Sequence, residues 1–172
     1  MSNTPTPHRR VITRKVVDWA AWDWGSAAFN AVATTFVFTT YLTSDGVFTD
    51  KGTAATWLSN GMTIAGLFIA LLAPITGQRA DRRGRGGVWL GWFTGAVVLC
   101  MLAMYFVHPE SVLGPKGALM LGIALLGLGN VFFEFASVNY NAMLNHLGEK
   151  EDRGKISGFG WASGYIGGIV LL

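Results

Sequence analysis

The sequence predicts an all-α polytopic membrane protein with four complete transmembrane helices and a partial fifth. Of its 172 residues, 51% are apolar and only 13% are charged, and the mean hydropathy is +0.40. Soluble domains have about 25% charged residues, so a lipid bilayer is the solvent that fits this composition. The same figures exclude intrinsic disorder, and a single cysteine, Cys100, excludes a disulfide framework or a thiolate metal site.

The charges are clustered, and the uncharged stretches between the clusters have the length of a membrane span. Three stretches, at 24–43, 52–78 and 86–109, each contain about 20 residues or more, enough to cross a hydrocarbon core of roughly 30 Å as a helix. A fourth stretch is interrupted once, by Glu134, and a fifth begins at Ile156. Strictly alternating segments of about ten residues, typical of barrel strands, are missing from the sequence. The predicted helices are therefore 18–43, 53–78, 87–107, 117–144 and 157–172.

The positions of Lys and Arg predict the orientation in the membrane. Eleven of the 13 Lys and Arg residues lie before helix one, after helix two or after helix four, whereas Lys51 and Lys116 lie on the opposite side. Short cytoplasmic loops are enriched in these residues, so the side with eleven is predicted to be cytoplasmic. Residues 1–17 are then a cytoplasmic amino-terminal segment and residues 18–172 a multi-pass domain of the cell membrane. The loops account for the net charge of +3 without nucleic acid.

Polar residues inside the predicted spans form a stripe on each of two helices. They recur at steps of three or four residues, which places them on one helical face. The stripe of helix one is Asp23, Ser26, Asn30 and Thr34, and that of helix four is Asn130, Glu134, Ser137 and Asn141. Two stripes, each with one carboxylate, predict a water-filled cavity between these helices. Helix three has hardly any polar side chain and is predicted to face lipid.

The candidate substrate or proton pathway consists of Asp23, Asn30, Glu134 and Asn141. A carboxylate at mid-bilayer is costly and usually marks such a pathway, and Glu134 is the clearest case. The alternative for the amides and hydroxyls is hydrogen bonding between helices, at roughly 0.6–2 kcal/mol per bond, with no ligand involved. For Asp23, near the predicted cytoplasmic interface, a solvated acid at the start of the helix is an equal alternative.

Glycines and tryptophans complete the pattern of the spans. Rows with four-residue spacing, which permit close helix packing, occur in helix three and helix five, at Gly91, Gly95, Gly160, Gly164 and Gly168. Tryptophans cluster at the predicted cytoplasmic ends of helices one and three, at Trp19, Trp22, Trp24, Trp89 and Trp92. An interfacial aromatic belt accounts for them, so no cofactor site is predicted.

The segment after helix two carries the most specific motif, Gly77-Gln-Arg-Ala-Asp81-Arg82-Arg-Gly84-Arg85. Asp81 can accept hydrogen bonds from a neighbouring arginine or from a helix amino terminus, in a contact that forms in one conformation and breaks in another. We interpret Gly77, Asp81, Arg82, Gly84 and Arg85 as a conformational latch loop. A plain positively charged cytoplasmic loop is the alternative.

The motif resembles the signature loop between helices two and three of the major facilitator superfamily. Two further stretches, Asp18–Asn30 and Ser157–Gly168, are similar to the branch related to fungal vacuolar amino acid effluxers and their bacterial relatives. The resemblance covers residues 18–172 and corresponds to the amino-terminal portion of that fold. It implies an efflux-type secondary transporter with two six-helix halves, a midplane site and alternating access.

The last apolar segment stops within the run Gly-Gly-Ile-Val-Leu-Leu, without a polar or basic anchor. A helix that ends inside lipid leaves carbonyl groups without hydrogen bonds, which is costly. We therefore expect an incomplete six-helix half, from a truncated gene product or a fragment of a longer transporter. The alternative is a short or tilted fifth helix that reaches the far interface.

Three functions are consistent with these patterns. The first is a secondary active transporter, or a fragment of one, for a small polar solute such as an amino acid, with protons as a candidate coupling ion. The second is a non-transporting membrane module that assembles with a second chain supplying the missing helices. An enzyme ranks last, because the sequence has no Ser-His-Asp order, His-Glu-x-x-His motif, phosphate-binding glycine loop or Cys/His metal spacing.

The charge distribution predicts where an impermeant thiol reagent can reach. With Cys100 replaced, a cysteine at Asp50 or Glu110 should react with such a reagent added outside intact cells, because both positions lie on the side that is poor in Lys and Arg. Labelling only after the membrane is permeabilised would reverse the assigned orientation.

Overall fold

The computed structural model describes residues 11–83 and 86–172, with side chains for 11–75 and 86–172. The described residues form helices joined by turns and short connections. In chain order these are α1 (Arg14–Ala27), a π-helical segment (Ala28–Phe36), α2 (Phe38–Leu42), α3 (Lys51–Arg83), α4 (Gly86–Met104), α5 (Gly114–Met143), a 3-10 turn (Leu144–His146) and α6 (Arg153–Leu171).

Three described helical stretches are long and apolar enough to cross a membrane. They are Lys51–Ile75 in α3, Gly86–Met104 of α4, and Gly114–His146 of α5 with its 3-10 turn, and they correspond to predicted helices two, three and four. The predicted total of four complete spans and a partial fifth is not confirmed. Predicted helix one is divided into α1, the π segment and α2, so it is not one regular helix. α6 begins with charged residues and is rich in glycine, which lowers its hydropathy.

The helix α3 ends later than predicted. It continues to Arg83 instead of 78, with Pro74 inside it, so Gly77 does not end the helix. Gly77, Asp81 and Arg82 of the predicted latch loop lie where only the helical backbone is described, and Gly84 and Arg85 lie outside the described residues. The latch stays a prediction.

Two aspartates satisfy backbone groups at the start of α3. The Thr53 N–H donates to Asp50 Oδ1 at 2.9 Å, and the Lys51 N–H donates to Asp45 Oδ1 at 3.0 Å. Such bonds stabilise a helix start, where the first N–H groups have no partner within the helix. The Thr53 N–H also holds the pKa of Asp50 below its usual value, because it favours the ionised form. A cysteine at 50 would remove this cap, so Glu110 is the less disruptive labelling position.

The helix α5 lies at the centre of the described chain and packs along both α3 and α4. Glycines of α5 also allow close contact with α2 and the π segment: a Cβ at Gly122 would lie 2.6 Å from Leu42 Cδ2, and one at Gly129 would lie 2.8 Å from Phe29 Cε2. The apolar core between α2, the π segment and α3 to α5 contains the buried residues Phe29, Leu42, Leu58, Val97, Leu119, Ile123 and Leu126.

The helix α6 packs along α1 through its glycines. A Cβ at Gly167 would meet the backbone carbonyl oxygen of Trp24, and a Cβ at Gly160 would lie 2.7 Å from the Trp19 ring. Gly168 makes only ordinary contacts, since its Cβ would lie 3.8 Å from the Ala31 Cβ. The closest approach is therefore at Gly167, which the four-residue row did not include.

The predicted glycine row of α4 has no such role within the described residues. A Cβ at Gly91 or Gly95 would meet no described atom within 4 Å. The reason is the orientation of the helix, which buries Val97 and Cys100 and leaves both glycines on the exposed face. Close packing of this row against another helix stays a prediction.

A matched pair of substitutions tests the contact between α1 and α6. Gly167→Ala should lower the free energy of unfolding by about 1–3 kcal/mol, because its Cβ would overlap a backbone oxygen that cannot rotate away. Gly91→Ala, with open space around it, should cause no loss. Thermal unfolding of the purified variants provides the measurement, and equal melting temperatures would mean that α6 does not lie against α1 in this way.

Candidate functional site

A cavity of about 660 Å³ lies between α1 with its π segment, α5 and α6. Two carboxylates line it, Asp23 from α1 and Glu134 from α5. Asn30 of the π segment and Asn141 of α5 line it as well. The structure thus brings together all four residues that the sequence places on the substrate or proton pathway.

The two predicted polar stripes face this cavity, with one exception in each. Ser26 and Ser137 are part of its wall, whereas Asn130 and Thr34 are not. Thr35 takes the place predicted for Thr34. These acid, amide and hydroxyl groups, which come from two facing helices, are the polar part of a wall that is otherwise apolar and aromatic.

The π segment explains why Thr35 replaces Thr34. In a π turn an N–H group bonds to the carbonyl five residues earlier, as the Val37 N–H does to Val32 O at 2.9 Å. Thr35 therefore lies on the same face of the helix as Asn30, and its hydroxyl donates to Asn30 O at 2.8 Å. The α-helical spacing predicted for helix one is wrong beyond Asn30.

Asp23 lies against the backbone of α6. A Cβ at Gly164 would lie 3.2 Å from Asp23 Oδ2, so a larger residue would press on the carboxylate. Asp23 and Glu134 are both partly buried, and no Lys, Arg or His is among the described residues that line the cavity. The described wall therefore carries acidic groups without basic ones.

Aromatic side chains form much of the remaining wall, and they come from three helices: Trp22, Phe133, Tyr140, Trp161 and Tyr165. The Trp22 ring centroid lies 4.5 Å from that of Tyr140. The Trp22 Nε1–H donates to Thr94 Oγ1 of α4 at 2.9 Å. This bond holds the Trp22 ring in place beside the cavity.

Tyr140 carries an unsatisfied polar group behind the cavity wall. The residue is only 4% exposed, and its hydroxyl has no hydrogen-bond partner in the described structure. The oxygen lies against the backbone of α6, where a Cβ at Gly160 would be 2.9 Å from it, so the hydroxyl does not face the cavity. The neighbouring Asn139 lies outside the cavity wall and donates from Nδ2 to Phe135 O at 2.7 Å.

Trp19 does not belong to an interfacial belt, contrary to the prediction. It is 6% exposed, stacks on Tyr140 with 4.2 Å between ring centroids, and donates from Nε1 to Tyr140 O at 3.0 Å. A buried indole N–H needs an acceptor, and this one is on α5. The bond fixes the start of α1 beside the cavity. Trp24, Trp89 and Trp92 are exposed, as a belt requires.

The sequence interpretation missed the contribution of α6 to the cavity. Trp161, Gly164, Tyr165 and Gly168 all line it. Their spacing of i, i+3, i+4 and i+7 is that of one helical face, and this was the available signal. The glycines were interpreted as packing residues alone, whereas Gly164 also makes room for the Asp23 carboxylate.

These features define a multi-pass helical membrane protein with a polar cavity between its helices. A family model described as the Major Facilitator Superfamily matches residues 3–171. The chain therefore belongs to this superfamily, whose members are membrane transporters and not enzymes. Comparison with curated proteins gives no significant match, and comparison with solved structures gives none.

The one-residue shift of the polar face can be measured with cysteines. With Cys100 replaced, Thr35→Cys should react several times faster with a small water-soluble thiol reagent than Thr34→Cys, because only position 35 lines the cavity. Equal rates, or a faster reaction at position 34, would mean that the helix keeps α-helical spacing through this segment.

Proposed function

We propose that the protein is a secondary active transporter that moves a small polar solute, such as an amino acid, by alternating access through the cavity between α1, α5 and α6. One observation supports this most: Asp23, Asn30, Glu134 and Asn141, from helices far apart in sequence, line a single cavity. Its volume of about 660 Å³ is in the range of small-molecule sites.

The polar groups of the cavity suit the binding of a hydrated solute. Asn30 and Asn141 can both donate and accept hydrogen bonds, and the carboxylates accept them or bind a positive charge. Ionisable side chains inside a membrane are costly unless they pair with another group or face water or a solute, so the grouping of two carboxylates on one wall favours a pathway over separate helix contacts.

We propose the proton as the coupling ion and Glu134 as its carrier. Glu134 lies in the apolar helix α5, on the cavity wall. Among the described residues, no other side chain hydrogen-bonds to the Glu134 carboxyl group. The carboxyl group is therefore not held in a structural contact. A carboxyl group in this position can bind and release a proton as its exposure to water changes.

Several sequence predictions belong to the same proposal. Residues 1–17 form a cytoplasmic segment, and residues 18–172 form part of a six-helix half in the cell membrane. The segment 77–85 is a conformational latch. The protein belongs to the branch of the superfamily related to fungal vacuolar effluxers.

Assembly with a second chain is the alternative function. The observation that favours it is the open space around Gly91 and Gly95 on the exposed face of α4, where a second helix could approach closely.

Substitution of Glu134 tests transport and coupling together. In proteoliposomes that contain the full-length protein, with a panel of isotope-labelled amino acids and amines as probes, Glu134→Gln should abolish accumulation at acid external pH. It should preserve exchange of the same solute, because exchange needs the site but no net proton movement.

A matched control is Glu110→Gln, which alters an exposed acid that is not part of the cavity wall and should accumulate solute normally. Normal accumulation by Glu134→Gln would contradict the proton-carrier role. Absence of uptake and exchange for every probe in the unaltered protein would contradict transport of amino acids.

A further inference from the structure

We propose that the cavity selects solutes that carry a positively charged ammonium group with N–H donors, in preference to zwitterions and anions. This inference rests on the transport function proposed above and narrows its substrate class: among the small solutes considered there, the site favours amines over amino acids. Two independent properties of the cavity wall carry it: its charge and its aromatic surface.

The first property is the charge of the wall. Asp23 and Glu134 supply two carboxylates, and no Lys, Arg or His is among the described lining residues. The carboxylate of a zwitterion or an anion would find only amide and hydroxyl donors there, next to two groups of its own charge. An ammonium group finds two charged acceptors, and charge-assisted hydrogen bonds are the stronger kind.

The second property is the aromatic surface. Trp22 of α1 stands on one side of the cavity, and Trp161 and Tyr165 of α6 stand on another. The faces of such rings attract cations, most strongly where water is displaced. Asp23 lies against Gly164, and Gly164 is between Trp161 and Tyr165 in the sequence of α6. A cation paired with Asp23 is therefore within the aromatic part of the wall.

The carboxylates also distinguish between classes of amine. A primary or secondary ammonium group can donate N–H hydrogen bonds to Asp23 and Glu134, whereas a quaternary ammonium group has no such proton. The wall therefore favours primary and secondary amines.

The volume of the cavity determines the size of the solute. About 660 Å³ is much larger than a bare ammonium ion needs, and the wall between the polar groups is aromatic. The fitting solute is therefore an amine that bears an apolar or aromatic substituent.

Three probes with one carbon skeleton separate the charge classes: 2-phenylethylamine is a cation, phenylalanine a zwitterion and 3-phenylpropionate an anion at neutral pH. Their binding to the full chain in lipid nanodiscs can be followed by tryptophan fluorescence and by calorimetry, with empty nanodiscs subtracted. The amine should bind at least about 10-fold more tightly than the other two, the difference that one charge-assisted hydrogen bond supplies. Its trimethylammonium analogue should bind more weakly than the primary amine.

Variants locate the binding site. Asp23→Asn and Glu134→Gln should each weaken amine binding by about 10- to 100-fold, because each removes one charged acceptor. Glu110→Gln should leave amine binding unchanged, and thermal unfolding of each variant shows whether it is folded.

Equal or tighter binding of phenylalanine or 3-phenylpropionate would overturn the inference, and so would an amine that fails to bind. Amine binding that neither carboxylate variant weakens would overturn it as well. If phenylalanine is the preferred ligand and Glu134→Gln still abolishes its accumulation, the substrate class is wrong while the transport function stands. If the amine binds as expected but is neither taken up nor exchanged, the substrate class stands as a binding preference and transport fails.

Discussion

Two carboxylates that face each other across a cavity, one of them within the apolar helix α5, impose the constraint on which the rest of this structure depends. Insertion of a charged side chain at the centre of a membrane helix costs about 2.5–3.5 kcal/mol or more, so such groups need polar surroundings. Asp23 and Glu134 have such polar surroundings because both line one cavity, together with amide and hydroxyl side chains from the same helices. The helices that hold these residues must therefore stay far enough apart to leave a cavity, and α6 must close it on a third side.

Two local features of the backbone meet this requirement. The π segment brings Thr35 to the wall, and the hydroxyls of Thr34 and Thr35 both donate to Asn30 O, at 2.6 Å and 2.8 Å. Those bonds give a hydrogen-bond partner to a carbonyl in the irregular part of the helix, which a membrane environment demands. The glycines of α6 are the second feature. Gly167 allows contact with the α1 backbone, and Gly164 leaves room for the Asp23 carboxylate.

Much of this arrangement could be predicted from the sequence, because length, hydropathy and helical period determine it. Predicted helices 87–107 and 117–144 match α4 and α5 closely, and Asp23 and Glu134 reach the same cavity as their stripes indicate. The π turn could not be predicted, since a bond to the fifth rather than the fourth preceding carbonyl depends on packing around the helix. The burial of Trp19 could not be predicted either, because a tryptophan at the membrane interface and one that donates a hydrogen bond to a neighbouring helix cannot be distinguished in the sequence.

The central claim is that polar residues of α5 face a water-accessible pathway within the membrane. Spin labels at Ser137, on the cavity wall, and at Leu128, an exposed apolar position of the same helix, test it directly. In lipid bilayers the label at 137 should collide with a water-soluble nickel chelate, and the label at 128 with oxygen dissolved in lipid. A label at 137 that collides only with oxygen, as the one at 128 does, would contradict the account.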